Sequence, residues 1–395
     1  MYIIRNGKII TEHDILEGYD LVIQGDRIVQ IVPSGQFDDT NSNPPLEIIN
    51  ANGAYVTPGF IDLHSDYIEF IAAPRPTSMM DFYLSLREAE KELITHGITT
   101  MYHSLSLWEN SEFDHKPIRE PKNVQKLIDL IDESHTSKHL VRHRFHARFE
   151  IDYTEGIEQL KSYIAAKKVH LLSFMDHSPG QGQYRNLEMY RHTLKGYKNL
   201  TDNEIDKIVH KHDQKRKVSF DELKEIADLA IKNQIALASH DDDTFEKLAF
   251  VKLLGTTISE FPITMEIAKK AKELNLYTIA GAPNVLLGGS HSGNLSAAEA
   301  IKQGYIDILC SDYYPAGVLH AIFNLHEKHG CDLVEMFKLV TIHPARAVKI
   351  DDTLGSIEVG KKADILLIDK IENNFPVISA VWVDGHLVQR THYRI

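Results

Sequence analysis

The chain has 395 residues, of which 43% are apolar and 25% charged, and its formal net charge is -13. This length fits a barrel of about 200 to 300 residues with a smaller module attached. The acidic balance argues against general nucleic-acid binding, because neutralising a phosphate backbone needs a basic surface. No apolar run approaches the ~18 residues of a membrane span, and residues 1–10 lack the features of a signal peptide. Two cysteines, Cys310 and Cys331, predict buried thiols in a reducing cytoplasm and no disulfide framework.

Short alternating segments separated by Gly or Asp turns fill residues 1–57, a pattern that predicts antiparallel strands. These segments are Tyr2 to Arg5, Lys8 to Ile10, Asp20 to Gln24 and Arg27 to Ile31. Residues 355–395 repeat the pattern in GSIEVGKKADILLID, VISAVWVDG and HLVQR. Since chain ends often lie close together, we expect 1–57 and 343–395 to form one small β-sandwich domain.

Residues 58–342 have a different period, with apolar residues at i, i+3 and i+4 in FYLSLREAEKELITHG, KNVQKLIDLIDESH and FDELKEIADLAIKNQ. This spacing predicts helices. Short apolar runs alternate with the helical segments, and they are GFIDLHSD, TTMYHSL, HRFHARFEI, HLLSFMDHS, IALASHDD, TISEFP, YTIAGAPN and DILCSDYY. Eight strands alternating with helices predict an α/β fold, a closed (β/α)8 TIM-like barrel of parallel strands.

Polar residues cluster where these predicted strands end, which is the face where a barrel keeps its active site. They are His64, Asp66, Glu150, Asp176, His177, His240 to Asp243, Glu260, Ser311 and Asp312. His64 and Asp66 are two residues apart on one strand, so both side chains are expected on one face, able to hold one ion. For a single His-x-Asp pair, helix capping or a structural hydrogen bond is the more common explanation.

Hydrolysis by water needs a partly ionised water, and a divalent metal lowers the pKa of water to about 7. Glu150 is the candidate for a carboxylate that bridges two ions, and its alternative is a salt bridge with Arg148 or Arg144. Asp312 could bind metal and accept the proton of the attacking water. Its alternative role is the N-cap of the next helix.

Two features indicate an anionic ligand. The glycine-rich segment 281–294, GAPNVLLGGSHSGN, could cradle phosphate with its backbone amides, assisted by Ser290, His291, Ser292 and Asn294. Arg75, Arg185 and Lys195 or Lys198 could supply positive charge. A flexible turn is the alternative for the loop, and surface solvation is the alternative for the lysines.

The opening PGFIDLHSD and the closing GSIEVGKKADILLID resemble segments of the amidohydrolase superfamily. The phrases MDHSPGQ and GGSHSGN, with HSDYIEFIAAPRP and CSDYYP, more specifically resemble the PhnM-like phosphonate-metabolism diphosphatases. This resemblance spans almost the whole chain. It implies hydrolysis of α-D-ribose 1-methylphosphonate 5-triphosphate, a small anionic sugar phosphate, to the 5-phosphate and pyrophosphate.

The resemblance also implies a centre of one or two divalent metal ions, with zinc, manganese, iron and nickel not distinguished. Its ligands would be His64, Asp66, Glu150, His177, His240 and Asp312, with Asp312 as the base. The substrate would contact Arg75, Arg185, Glu260, Ser290, His291 and Asn294.

Two departures from the superfamily leave alternatives open. The first strand has His-x-Asp in place of the usual His-x-His, and either His177 or Glu260 completes the metal site. A rival function is hydrolysis of a C–N bond in a cyclic amide or N-acyl substrate, and another is a non-catalytic barrel that keeps a structural metal. The oligomeric state stays open, a homo-oligomer included.

Overall fold

The computed structural model describes most of the chain. The described residues are 1–37, 46–75, 77–108, 117–178, 181–182, 188, 191, 195, 201–213, 215–289 and 295–393. The strands are β1 (Tyr2–Arg5), β2 (Lys8–Ile10), β3 (Ile15–Leu16), β4 (Tyr19–Gln24), β5 (Arg27–Pro33), β6 (Glu47–Asn50), β7 (Tyr55–Pro58), β8 (Phe60–Ser65), β9 (Ile98–Leu107), β10 (Arg142–Glu150), β11 (Leu171–Met175), β12 (Ala236–His240), β13 (Ile258–Glu260), β14 (Tyr277–Gly281), β15 (Ile308–Cys310), β16 (Ile365–Ile371), β17 (Phe375–Val383) and β18 (His386–Arg390).

The α-helices of the described residues lie mostly between the strands of the central sheet. They are α1 (Tyr67–Ala72), α2 (Phe82–Thr95), α3 (Pro121–Ser134), α4 (Ile157–Ala165), α5 (Asp202–Asp213), α6 (Phe220–Lys232), α7 (Phe245–Leu253), α8 (Met265–Glu273), α9 (Ala282–Leu287), α10 (Ala297–Lys302), α11 (Gly317–His329), α12 (Leu333–Lys338) and α13 (Ile342–Ala347). Local sequence fixes several helix starts: Ser219 and Glu222 form a capping box at α6, and Thr244 caps α7.

Strands β8 to β15 form one eight-stranded sheet in chain order, and their pairings are parallel. A parallel bridge between Ser65 and Asp312 joins the two outer strands, so the sheet closes into a barrel. The predicted (β/α)8 barrel is therefore confirmed, and each of the eight predicted apolar runs overlaps one of its strands.

The first barrel strand packs unusually close to the second at its start. A Cβ atom at Gly59 would lie 2.3 Å from Thr99 Oγ1, closer than two such atoms can approach. The glycine in PGFIDLHSD is therefore required by packing between β8 and β9, which sets the position of His64 five residues later.

The two chain ends form two further sheets, one from N-terminal strands alone and one from strands of both ends. One has the order β5-β4-β1-β6, and the other has the order β18-β17-β16-β7-β2-β3. The sheets share one apolar core, in which Ile4 and Leu21 from the first pack with Val56, Ile365 and Trp382 from the second. Two sheets around one core form a β-sandwich, as the sequence predicted.

The predicted domain limits of 1–57 plus 343–395 and 58–342 stay a prediction. The first limit falls within β7, and the second falls within α13, whose Ala345 packs into the apolar floor of the barrel with Ile61 and Ile308. Both cysteines are free; Cys310 is buried as expected, whereas Cys331 is half-buried. No helix within the described ranges combines the length and the apolar character needed to cross a membrane.

A buried ion-pair network links the third barrel strand to the C-terminal sheet. The Arg142 guanidinium donates through Nη1 and Nη2 to the Asp364 carboxylate, with Nη2 2.9 Å from Oδ1, and Nη2 also lies 2.5 Å from Asp384 Oδ1. The side chains of Arg142 and Asp364 are only 7% and 5% exposed. Removing one partner of such a pair leaves the other charged group buried without compensation.

We therefore expect Arg142→Met to lower the free energy of unfolding by about 3 to 5 kcal/mol. Urea unfolding followed by circular dichroism measures this loss. Arg216→Met is the matched control, because the Arg216 side chain is 71% exposed and solvent screens its pair with Glu222. A loss for Arg142→Met no larger than that of the control would contradict the prediction.

Candidate metal centre

Three buried side chains from different barrel strands converge inside the barrel and form what we call the inner group. They are His64 of β8, His146 of β10 and Glu260 of β13. One potential ligand atom from each lies within 4.8 Å of those of the others. His64 Nδ1 is 3.0 Å from Glu260 Oε1, and His146 Nε2 is 3.7 Å from Glu260 Oε2. Imidazole and carboxylate are suitable ligands for a divalent transition metal.

Both imidazoles of the inner group are surrounded by hydrogen-bonding groups. His146 Nδ1 lies 3.0 Å from the Leu63 carbonyl oxygen and 3.0 Å from Ser104 Oγ, and its Nε2 lies 2.5 Å from Ser173 Oγ. His64 Nδ1 lies within hydrogen-bonding distance of the Glu260 carboxylate. Burial lowers the pKa of His146 to about 3 and the pKa of His64 well below its usual value, so both rings are neutral, as metal ligation requires.

A second set, here the outer group, comprises His177, His240 and Asp241. Asp241 Oδ2 lies 3.2 Å from His240 Nδ1 and 3.8 Å from His177 Nε2. Both ring nitrogens of His240 and Asp241 Oδ2 are buried, yet within the described part of the chain they have no hydrogen-bond partner, because the 3.2 Å approach is not aligned for one. Buried polar atoms without partners are costly, and a cation between them would satisfy them.

Glu150 ends β10 and accepts a hydrogen bond from His177 Nδ1. Within the described part of the chain Glu150 forms an ion pair with His177, and neither Arg144 nor Arg148 forms a salt bridge with it. Although burial opposes the shift, Glu150 raises the pKa of His177 and His177 lowers the pKa of Glu150. Glu150 thus lies beside the outer group, and its role as a bridging ligand stays a prediction.

Asp312 follows β15 and lies where the first and last barrel strands meet. Its backbone amide donates to the His64 carbonyl oxygen at 3.0 Å. Burial and the nearby Asp66 carboxylate raise the pKa of Asp312 to about 7. A carboxyl group with such a pKa can both accept and return a proton near neutral pH. The N-cap of the next helix, α11, is Ala316, so helix capping does not explain Asp312.

Asp66 lies just beyond the end of β8, at the N-cap position of α1, although its side chain makes no cap hydrogen bond. Its carboxylate lies 3.6 Å from Nη2 of Arg119, whose Nε donates to Glu69 at 2.8 Å. The strand ends at Ser65, so His64 and Asp66 do not share a strand face as the sequence suggested. Asp66 belongs to neither the inner nor the outer group, and its role as a ligand stays a prediction.

Three residues at the ends of barrel strands have left-handed backbone conformations although none is glycine. Asp241, Phe261 and Asp312 have φ angles of 52°, 54° and 58°. Such conformations cost free energy and concentrate at functional sites. The turn at Phe261 directs its ring against His64 and His240, with centroid distances of 4.9 and 5.2 Å. Phe261 therefore fixes the orientation of one imidazole from each group.

Of the predicted substrate-binding residues, Arg75 is exposed and follows α1, where it bridges to Ser78. Glu260 lies in the inner group, in contact with His64. Arg185, Ser290, His291 and Asn294 lie outside the described residues. For all of them, contact with substrate stays a prediction.

Sequence reasoning left His146 and Asp241 out of the metal ligands. His146 lies two residues before Arg148 and four before Glu150 on β10. Because side chains alternate along a strand, all three lie on the same face, and this spacing could have identified His146. For Asp241, the only signal in the sequence is that it directly follows the predicted ligand His240. The structure does not require a choice between His177 and Glu260 as a metal ligand, because each belongs to a different group.

The amidohydrolase family model matches residues 186–388. Alpha-D-ribose 1-methylphosphonate 5-triphosphate diphosphatase of Escherichia coli (strain K12) is 33% identical over 392 residues, which are 98% of this chain and 100% of that protein. The chain belongs to the amidohydrolase family. The resemblance to the PhnM-like diphosphatases, inferred from phrases such as MDHSPGQ, is confirmed.

Other amidohydrolases are more distant. Imidazolonepropionase of Fusobacterium nucleatum subsp. nucleatum is 26% identical over 366 residues, covering 89% of this chain and 85% of that protein. The crystal structure of N-acetylglucosamine-6-phosphate deacetylase from Pasteurella multocida has a TM-score of 0.65 at 14% identity, covering 99% and 100% of the two chains. This last similarity concerns the fold. Members of the superfamily depend on metal, which agrees with the two groups described above.

If the outer group of this amidohydrolase holds a metal ion, removing one imidazole should weaken binding at that group alone. Removing a residue that merely supports a metal ligand typically lowers metal affinity by about 10- to 100-fold. We expect His240→Ala, which removes a ligand itself, to lower metal affinity at the outer group by more than this. Metal analysis after dialysis measures the content. His386→Ala, an exposed position on β18, is the control and should keep the full content. Equal metal content in both variants would contradict the prediction.

The two groups should also release metal at different pH. The raised pKa of His177 means that this ring takes up a proton first as pH falls, whereas the lowered pKa values of His64 and His146 keep those rings neutral. We expect protein loaded at pH 8 to lose metal from the outer group by about pH 5 while the inner group retains it. Metal content at stepped pH checks this order, and release in a single step would show it to be wrong.

Proposed function

We propose that this amidohydrolase is a metal-dependent diphosphatase that converts α-D-ribose 1-methylphosphonate 5-triphosphate to the 5-phosphate and pyrophosphate, in the catabolism of phosphonates. The observation that carries the proposal is the full-length similarity to the Escherichia coli enzyme of that name. The two histidine–carboxylate groups, whose members lie near the carboxyl ends of the barrel strands except for His146 in the middle of β10, support a hydrolytic site. The free cysteines support a cytoplasmic location, which is part of the proposal.

The inner and outer groups offer neutral imidazoles and carboxylates, the donor set of hydrolytic metals. His64, His146 and Glu260 would hold one ion, and His177, His240 and Asp241 would hold another. When bound, divalent metal supplies Lewis-acid activation of water and neutralises charge on the phosphoryl oxygens. Side chains of the protein would then transfer the proton and position the reacting groups.

In this proposal the oxygen of water attacks phosphorus and the anhydride bond between the first and second phosphates of the triphosphate breaks. Asp312 accepts a proton from the water, and pyrophosphate leaves with the electron pair of the broken bond. The raised pKa of Asp312, about 7, matches this proton transfer at neutral pH. The hydrogen bond from His177 orients Glu150 beside the site.

Hydrolysis of a C–N bond is the second candidate. The 26% identity with an imidazolonepropionase over most of both chains favours it. The barrel fold supports many different reactions, so the shared fold favours neither of the two candidate functions. The two candidates differ in product: one releases pyrophosphate and the other an amine or an opened ring.

The test is an assay of metal-loaded protein on the ribose triphosphate and on a panel of cyclic amides and N-acyl compounds. We expect pyrophosphate in an amount equal to the 5-phosphate formed, with Asp312→Asn about 10²- to 10⁴-fold slower because the proton acceptor is lost. Asp351→Asn is the control, since Asp351 lies at the surface 4.0 Å from Arg346. Turnover of an amide without pyrophosphate release would reject the diphosphatase in favour of the second candidate.

A further inference from the structure

Arg148 is a charged residue of the barrel lining that none of the roles above uses. It lies on β10 between His146 and Glu150, two residues from each. Because side chains alternate along a strand, Arg148 is on the same face as both, and His146 belongs to the inner group. The arginine therefore points to the side of the sheet where the metal groups lie.

The neighbouring strands leave room for its guanidinium group. Arg148 pairs in register with Ser106 of β9 and with Ser173 of β11, both small residues. Ser173 faces the barrel interior, because its Oγ donates to Glu260 Oε2 at 2.6 Å. Arg148 is half-buried, and its Nε donates to the sulfur of Met175 at 3.2 Å. This contact fixes one edge of the guanidinium, and no other residue that the structure describes engages Nη1 or Nη2.

Two arginines of the described residues whose side chains are at most 18% exposed are paired with carboxylates, whereas Arg144 donates to the His143 carbonyl oxygen. Arg119 donates to Glu69, and Arg142 donates to Asp364. Arg148 has no carboxylate partner in the described part of the chain, and its Nη1 and Nη2 atoms have no hydrogen-bond partner there. A guanidinium that is held by one edge and open at the other is arranged to bind an anion with two parallel hydrogen bonds.

Arg148 lies between the two metal groups along β10. His146, two residues before it, belongs to the inner group, and Glu150, two residues after it, contacts His177 of the outer group. An anion bound to Arg148 would therefore lie beside both groups. Such a position suits a phosphorylated substrate whose phosphorus reacts beside the inner and outer groups.

We propose that Arg148 is a substrate-binding residue that holds the phosphoryl oxygens of a polyphosphate chain through Nη1 and Nη2. The inference deepens the proposed diphosphatase function and rests on it. It assigns anion binding to the barrel lining itself, in addition to the predicted contributions of Arg75 and Arg185. Lysine at this position would keep the charge and lose the two-pronged geometry, so Arg148→Lys should retain only part of the binding.

The experiment uses inorganic tripolyphosphate as the probe and isothermal calorimetry as the readout, with the full chain both metal-free and metal-loaded. We expect Arg148→Gln to weaken tripolyphosphate binding by about 10- to 100-fold in both forms, and Arg148→Lys to give a smaller loss. Arg216→Gln, the same change at an exposed position, should bind as the unaltered protein does. Metal content and thermal unfolding of Arg148→Gln should stay unchanged.

Two results would overturn the proposal. One is tripolyphosphate binding by Arg148→Gln equal to that of the unaltered protein; the other is a loss of binding explained by lost metal or by unfolding. Turnover separates this inference from the proposed function. If the unaltered protein and Arg148→Gln cleave the ribose triphosphate equally well, only the role of Arg148 is wrong. If the unaltered protein cleaves only amides while Arg148→Gln still loses tripolyphosphate binding, Arg148 binds anions and the diphosphatase is wrong.

Discussion

Pairing between the first and last barrel strands is the constraint on which the candidate site depends. Ser65 and Asp312 are 247 residues apart in sequence, yet Ser65 Oγ donates to the Asp312 carbonyl oxygen at 2.7 Å. The amide of Asp66 donates to the same carbonyl oxygen, at 3.1 Å. These bonds close the cylinder, and closure places His64 opposite Glu260. An open sheet of the same strands would leave the two at distant positions, and the inner group would not form. The outer group comes from the ends of the neighbouring strands β11 and β12 and needs only their pairing.

Closure also buries the polar side chains of the barrel lining. Imidazoles and carboxylates lose hydration when they are buried, and the loss is compensated only by well-placed partners. In the inner group, serines and a backbone carbonyl provide these partners, as Ser173 does for Glu260 and Leu63 does for His146. Within the described ranges, the ring nitrogens of His240 in the outer group lack such partners. The inner group thus has hydrogen bonds from the protein in addition to any bound ion, whereas the outer group needs an added cation to satisfy its buried polar atoms.

The barrel could be predicted from sequence because a buried parallel strand needs a continuous apolar run, and eight such runs alternate with helical periods. The ends of these runs led to His64, Glu150, His177, His240 and Asp312 for the same reason. His146 was missed because it lies inside a run, where a histidine is usually a hydrogen-bonded core residue. The position of Asp66 was misjudged because periodicity cannot show that β8 ends one residue earlier. The left-handed turns at Asp241 and Phe261 come from tertiary packing, which short-range patterns do not encode.

The network of Arg142 with Asp364 and Asp384 has a consequence for biosynthesis. Arg142 begins β10, the strand that carries His146 and Glu150, but its two acidic partners are translated more than 200 residues later, as the separation of 222 between Arg142 and Asp364 shows. Until the C-terminal sheet has been synthesised, this guanidinium lacks the two carboxylates that compensate its burial in the folded protein. The third barrel strand can therefore complete its ion pairs only late in synthesis, when the segment that carries both carboxylates has emerged.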